Sequence, residues 1–345
     1  MFDPINFKEV FQDYEKEIPI VIHANPDPDA MSAAWGVSVL LRLSGLKCGG
    51  TFYSGEISHP MNKAMTTLLD MSLNKLDDTV FDKGTKIILL DTNNIGPDTN
   101  QPALSEDDVE VAVVIDHHKG KNPKKAKVDR RAVGATASIV WEYLQSLNYD
   151  FKTDEGKMLA TALVTGVFTD TQNLMSDNLT DLDFKAYETL IRIADKQKLA
   201  SIMNYPLPQY LFDLRQQAFL EENKKVEEST IVSGVGIISG SKRDALPVIA
   251  DEFVRMPGIT TSVVFAIIKE DNHIELSARS NNITLDVGEF LQKCFNTGGG
   301  KLGSGGAKIS LGFFSLNGNH ELNNETWDLA KRLVMNRVFS NLRGE

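Results

Sequence analysis

Three observations predict an α/β fold with a parallel N-terminal sheet and a smaller α+β C-terminal domain. Short apolar runs, IPIVIH (residues 18–23), KIILLD (86–91) and VEVAVVID (109–116), are of the kind buried on both faces of a parallel sheet. Helical patterns lie between and after them. From about residue 229 the signals become mostly those of strands. In order, the first run precedes the helical stretch AMSAAWGVSVLLRL, the third is followed by GATASIVWEYLQSL and EGKMLATALVTGVFTD, and the charged helical segments DLDFKAYETLIRIADKQKLA and QYLFDLRQQAFLEENKKVEES come next. TIVSGVGIIS, TTSVVFAIIKE, HIELSARS and AKISLGFF then read as strands, with DALPVIADEFVRMPG as an intervening helix.

At 345 residues the chain exceeds the size at which one core usually keeps growing, so two domains are expected. The boundaries drawn are a metal-binding domain at 1–195, a helical linker at 196–228 and a substrate-binding domain at 229–345. A net charge of −11 argues against a broad basic face tracking long nucleic acid. Two cysteines without metal-type spacing, no apolar run long enough to span a membrane and no apolar leader together give the cytoplasm as the expected compartment. Six glycines fall between Gly298 and Gly306, and no repeat of fixed period is present.

The chemistry is concentrated where the apolar runs end. Parallel strands bring their C-termini to one edge, where open sheets of this class bind ligands. His23, Asp91, Asp116, His117 and His118 would share that edge. Asp27 and Asp29 lie two apart in a proline-containing loop, so their carboxylates can diverge toward different cations. Asp29 could equally cap a helix starting at Ala30, and Asp91 could serve an ordinary turn. Asp170 falls on the face of Leu163 and Val167 by its spacing, and a carboxylate on an apolar stripe needs a partner. Three of the six histidines sit in these segments. Oxygen and nitrogen donors without thiolate favour Mn²⁺, with Mg²⁺ or Co²⁺ as substitutes. Phosphoester hydrolysis needs such donors around two cations about 3.5–4 Å apart.

HANPDPDA, LLDTNN, IDHHKG and GVFTD resemble, in order and spacing, the four motifs of the DHH phosphoesterase superfamily. LSARS and NTGGGKLGSGGA resemble its C-terminal DHH-associated domain, as found in nanoRNases and pAp phosphatases. The resemblance implies that His23 and Asp27 hold one manganese, that Asp29, His117 and Asp170 hold the other, and that Asp91 bridges both. It implies that Asp116 orients a neighbouring histidine, that His118 contacts the scissile phosphate, and that a water activated by both cations attacks phosphorus. Asp91, Asp116 and His118 are thus the expected catalytic set.

Gly298, Gly299, Gly300 and Lys301 form a segment whose backbone N–H groups could make an anion nest, or merely a flexible loop. It is no P-loop, because Leu302 stands where Ser or Thr is required. Lys301 replaces the histidine usual in the family, which weakens transfer of the family's substrate. Arg279 falls on the polar side of its strand, where it is solvated or grips phosphate bidentately. Seven bases follow the histidine pair (Lys119, Lys121, Lys124, Lys125, Lys127, Arg130 and Arg131) and could steer an anion or form a solvated loop. The expected activity is Mn²⁺-dependent hydrolysis of short oligoribonucleotides, linear dinucleotides or 3′-phosphoadenosine 5′-phosphate, the second domain selecting substrate across a cleft. Alternatives are pyrophosphate or polyphosphate hydrolysis, and a catalytically weak nucleotide-binding regulator. The expected partner is a short nucleotide or other small phosphorylated compound, with a homodimer open, and neither long duplex nor membrane.

Overall fold

The computed structural model describes residues 4–76, 81–96, 101, 104–105, 107–301, 303–312 and 324–344. They form two compact units that divide at Tyr205/Pro206. The first runs α1 (Phe7–Val10), β1 (Ile18–Ile22), α2 (Pro28–Leu43), β2 (Cys48–Tyr53), α3 (Pro60–Leu68), β3 (Asn74–Lys75), β4 (Thr85–Leu90), β5 (Val109–Asp116), β6 (Lys127–Arg130), α4 (Thr136–Ser146), α5 (Asp154–Asp170), α6 (Asp181–Ile193) and α7 (Lys196–Met203). Its six strands are ordered β3-β2-β1-β4-β5-β6, every pairing parallel.

The three apolar runs are its central strands, and alternation divides their side chains between two cores. Ile20, Ile22, Ile88, Leu90, Val113 and Ile115 meet the helices, while Val21, Ile87, Leu89, Val111 and Val114 pack under loops on the other face. α2 is buried nearly all round because it lies between the sheet, α4 and α5. At Gly166 of α5 a Cβ would come 2.5 Å from Ser32 Oγ and 3.0 Å from Asp29 Cα, so glycine permits the approach of α5 to the start of α2.

The second unit contains α8 (Gln209–Phe219), β7 (Lys224–Glu227), β8 (Thr230–Ile238), α9 (Ala245–Phe253), β9 (Thr261–Ile268), β10 (His273–Ser280), α10 (Val287–Phe295), β11 (Gly299–Lys301), β12 (Ser304–Ser310) and α11 (Asn324–Arg343). Its mixed sheet has the order β11-β12-β10-β9-β8-β7, with only β8 and β9 parallel. Val264, Ala266 and Ile268 pack with α8 and α9, and Val263, Phe265 and Ile267 with α10 and α11.

Several local expectations change. Residues 196–228 are not one helical linker: α7 belongs to the first unit, α8 to the second, and Lys224–Glu227 is a strand. The glycine-rich segment is not a loop, since Gly299–Lys301 pair antiparallel with Ser304–Gly306 at the sheet edge and, among its described residues, only Gly298 and Gly303 take left-handed φ. That pairing occupies the backbone that a nest would turn inward. AKISLGFF ends as a strand at Ser310, and Phe313 and Phe314 lie outside the described residues. Among the described residues, no helix is long and apolar enough to cross a membrane.

Candidate metal centre

β1, β4 and β5 are adjacent and parallel, so His23, Asp91 and the Asp116–His118 run emerge side by side at their C-terminal ends. Asp91 turns there with φ 54°, a left-handed conformation uncommon for a residue with a Cβ. Its amide donates to the Ile115 carbonyl at 3.0 Å, and its side chain is 1% exposed. α2 begins at Pro28, earlier than expected, and Asp27 caps it by accepting from Ala30 N at 3.0 Å. The cap reading considered for Asp29 therefore falls to Asp27. Asp29 instead lies fully buried against α4, its two oxygens accepting from Thr136 N and Ala137 N, each at 2.7 Å. A helix N-terminus is suited to a carboxylate, because its first N–H groups lack intrahelical partners. Asp170 closes α5 on the same side.

The donor atoms gather in three overlapping groups, each within 4.8 Å: His23 with Asp27 and Asp91, Asp29 with His117 and Asp170, and Asp91 with His117 and His118. All six expected metal ligands are in the first two. The histidine tautomers decide whether a cation fits. His23 Nδ1 lies 2.8 Å from the Ala24 carbonyl and His117 Nδ1 3.1 Å from that of Val133, contacts that require Nδ1 to carry the proton. The Nε2 atoms of both rings then face carboxylates. His23 Nε2 is 3.6 Å from Asp27 Oδ1 and 3.4 Å from Asp91 Oδ2, and His117 Nε2 is 3.4 Å from Asp91 Oδ1 and 3.2 Å from Asp170 Oδ2. Among the described residues His117 Nε2 is buried without a hydrogen-bond partner. A lone pair facing carboxylates, as at His117, repels them in a dry site, and a divalent cation between them reverses the sign; at His23 a cation would take the place of the ring's second proton. The donor set fits such ions.

The same crowding moves proton affinities. Burial and the neighbouring Asp91, Asp170 and Asp27 push Asp29 well above the usual carboxylate range, against the pull of Ala137 N–H. Burial acts to lower His23, but Asp27 and Asp91 outweigh it and hold the imidazole well above its ordinary value.

Asp116 is fully buried and faces His118, its Oδ1 accepting from His118 Nδ1 at 2.9 Å and from His118 N at 3.1 Å. That bond raises the His118 proton affinity, burial opposing it, and leaves a ring that is 43% exposed. His118 Nδ1 is also 3.5 Å from Asp91 Oδ1. Two polar residues that the sequence reading missed, Thr136 and Asp183, support these groups, as does Arg130 of the basic run. Thr136 donates its hydroxyl to Asp91 Oδ1 at 2.9 Å. Asp183, fully buried, accepts from Gly134 N, Thr180 N, Thr180 Oγ1 and Ser138 Oγ at 2.6–2.8 Å and so pins the turn that leads into α4. Arg130 donates to the Gly120 carbonyl at 2.6 Å and brings Nε to 3.5 Å from Asp116 Oδ2.

The expected substrate residues lie in the second unit. Arg279 is not solvated on an open face: α9 covers it, and its Nε donates to Asp251 at 2.7 Å. Gly298, Gly299 and Gly300 lead into and form the edge strand, and among the described residues a Cβ at Gly299 would meet nothing within 4 Å. The Lys301 side chain lies outside what is described.

Residues 17–167 match the family model described as the DHH family, N-terminal domain. The chain is 34% identical over 304 residues to an uncharacterized protein of Methanocaldococcus jannaschii, a match covering 87% of this chain and 60% of that protein. It is 29% identical over 185 residues to a probable manganese-dependent inorganic pyrophosphatase of Lactobacillus delbrueckii subsp. bulgaricus, covering 52% of this chain and 55% of that one. The matches thus span between about half and 60% of these curated relatives. A crystal structure of an exopolyphosphatase-related protein from Bacteroides fragilis shares the fold, with a TM-score of 0.62, 16% identity and 96% of each chain covered.

Proposed function

We propose, from the match of residues 17–167 to the DHH family, N-terminal domain, that this chain is a two-manganese phosphohydrolase of short nucleotide substrates. The observation that carries the metal reading is the pair of Nε2 atoms, on His23 and His117, aimed into carboxylates with Asp91 common to both. His23 and Asp27 would hold one cation, Asp29, His117 and Asp170 the other, and Asp91 both. Bound there, divalent cations polarise phosphoryl oxygens and lower the pKa of a water to the point where it can attack phosphorus. The nearby side chains orient the substrate. Asp116 fixes His118 through Nδ1, which leaves Nε2 of a half-exposed ring to donate to a phosphoryl oxygen. Burial of Asp91 and Asp29 keeps bulk water from competing for the carboxylates.

The second unit is proposed as a DHH-associated substrate domain. Arg279 keeps Nε on Asp251 and Nη1 on Ser277 and Ala278, so Nη2 is the donor it would offer a phosphate. Gly298–Lys301 would contribute edge backbone N–H groups. The favoured substrates are short oligoribonucleotides, linear dinucleotides or 3′-phosphoadenosine 5′-phosphate. Pyrophosphate is a second reading, supported by the likeness of the N-terminal half to the pyrophosphatase relatives.

One panel separates the readings. Purified protein with Mn²⁺ is offered pApA, 3′-phosphoadenosine 5′-phosphate, a five-nucleotide RNA, pyrophosphate and polyphosphate, with Asp91→Ala alongside. The nucleotide substrates should turn over and the variant should not. Turnover of pyrophosphate alone would select the second reading, and tight nucleotide binding without turnover would make the protein a regulator. Activity that survives Asp91→Ala would sink the two-metal assignment.

A further inference from the structure

The eleven residues from His117 to Lys127 contain five lysines and no carboxylate, in a chain whose net charge is −11. Their path is unusual for a parallel connection, because ten residues join β5 to β6 without a helix. The segment leaves the metal-donor edge at His118 and is held there at two carbonyls, Lys119 O by Asn93 Nδ2 at 3.3 Å and Gly120 O by Arg130. It then runs back over the sheet face opposite the helices, where Ala126 packs on the second core. Pro123, Lys124 and Lys125 reach the start of β5, lining a depression with Gly84, Val109 and Val111. Val109 and Val111 lie five to seven residues before Asp116, so this path covers roughly 20 Å at strand rise.

Lys119, Lys121, Lys124 and Lys125 are all exposed, and none has a carboxylate within 4.0 Å among the described residues. Lys127 faces the other way, toward the cavity between α1 and α4, and is not part of this row. Lys83 joins the far end, where Asp107 and Glu110 also line the surface and offset part of the positive charge. Unpaired lysines in a row that begins beside a phosphate-contacting histidine suit one class of ligand: a linear chain of several phosphates.

Building on the phosphohydrolase reading above, we infer that this lysine row is a track for the distal phosphates of a linear polyanion, so that the enzyme prefers substrates with several phosphates beyond the scissile one. An oligonucleotide and a polyphosphate chain present the same chemistry to it. The row makes no base contact, and its contribution is electrostatic and salt-dependent.

The test replaces Lys119, Lys121, Lys124 and Lys125 by alanine, together and in pairs. All four are surface positions whose substitution leaves the fold intact. kcat/KM is measured with Mn²⁺ for a five-nucleotide RNA, a medium-chain polyphosphate and bis(p-nitrophenyl) phosphate, which has no tail. Single-strand contacts contribute a slope of about −0.7 per phosphate in log affinity against log salt, so losing two should reduce the ratio of long to tail-less kcat/KM on the order of 10- to 30-fold near 0.1 M salt. The salt dependence on the long substrate should flatten by about 1.4 in slope for the same two contacts. Whichever long substrate shows the loss identifies the source of the polyanion. An unchanged ratio, or an equal fall on tailed and tail-less substrates, overturns the track. Should the wild-type enzyme hydrolyse none of them, the phosphohydrolase reading fails by itself, and fluorescence anisotropy of a labelled five-nucleotide RNA decides the track: weaker, less salt-sensitive binding by the lysine variants supports it, and identical binding refutes it.

Discussion

Thr136→Val is the sharpest probe of how the metal centre is organised. The change keeps the β-branched shape of a fully buried side chain at the start of α4 and removes one hydroxyl, the donor to Asp91 Oδ1 at 2.9 Å. The backbone amides that hold Asp29 are untouched. A buried hydrogen bond to a charged group contributes about 1.5–3 kcal/mol, and 1.4 kcal/mol is a factor of ten, so Mn²⁺ affinity should fall roughly 10- to 150-fold. Outer-shell partners of metal ligands elsewhere cost a similar 10- to 100-fold. Isothermal titration of metal-free protein with Mn²⁺ at constant pH measures it, and Thr136→Ser, which restores the hydroxyl, should recover most of the loss. If Thr136→Val binds Mn²⁺ within about threefold of wild type while urea unfolding shows a native fold, Asp91 does not depend on this hydroxyl and the reasoning fails.

Three further outcomes are expected. Gly166→Ala places a Cβ 2.5 Å from Ser32 Oγ and 3.0 Å from Asp29 Cα, so α2 and α5 must separate; overpacking of this kind costs about 1–3 kcal/mol in urea unfolding, and a lower Mn²⁺ affinity should accompany it because Asp29 and Asp170 sit on those helices. Asp183→Asn replaces an acceptor of four hydrogen bonds by a group with one acceptor oxygen, and denaturant unfolding should show a loss of about 2–4 kcal/mol; a loss under 0.5 kcal/mol would contradict its role in pinning the α4 turn. In metal-free protein Asp29 and His23 both have raised proton affinities, so each stabilises the fold fully below its unfolded value (3.8 and 6.5) and loses that contribution as pH rises through its folded value. Tm in EDTA should therefore fall from pH 6 to pH 9 and Mn²⁺ should raise it most at pH 9, whereas a flat profile with uniform rescue would show the cluster to be uncoupled from folding.

The donors were legible in the sequence for a physical reason. A residue that ends a buried apolar run in an α/β pattern has its position set by the sheet, so the sequence alone gathers His23, Asp91 and His117. Their supports were not legible. Thr136 meets Asp91 across 45 positions and Asp29 across 107, and no local pattern marks a threonine or an aspartate as the partner of a carboxylate so distant in sequence. Strands β2 and β6 escaped for a different reason: CGGTFY and KVDR carry too little apolar alternation to declare themselves, and pairing with better strands makes them extended. In β10 the alternation separated the faces correctly, with Arg279 opposite Ala278. It could not say what covers each face, and α9 turned an apparently solvated arginine into the partner of Asp251. The glycine-rich stretch shows the converse, since glycine permits a loop or an edge strand and only the register with β12 decides.

The centre also bears on why such a site survives in a folded protein. Asp29, Asp91 and Asp116 are each at most 1% exposed, and Asp27 and Asp170 stand in the same donor groups. Carboxylates gathered this closely repel, and burial strips them of the water that would screen them. The fold meets part of that cost locally, with the α4 N-terminus on Asp29, Thr136 on Asp91 and His118 on Asp116. What it leaves unmet is concentrated at Nε2 of His117, which is buried without a hydrogen-bond partner among the described residues and is held by its Nδ1 contact in the orientation that a cation needs. A ligand that binds only the native state stabilises it by about 2.7 kcal/mol at one hundred times its dissociation constant. The residual repulsion therefore weakens the metal-free fold where cations would sit, so occupancy would serve chemistry and folding at once, and variants of the supporting residues must be compared at matched Mn²⁺ saturation before a loss of activity is assigned to catalysis.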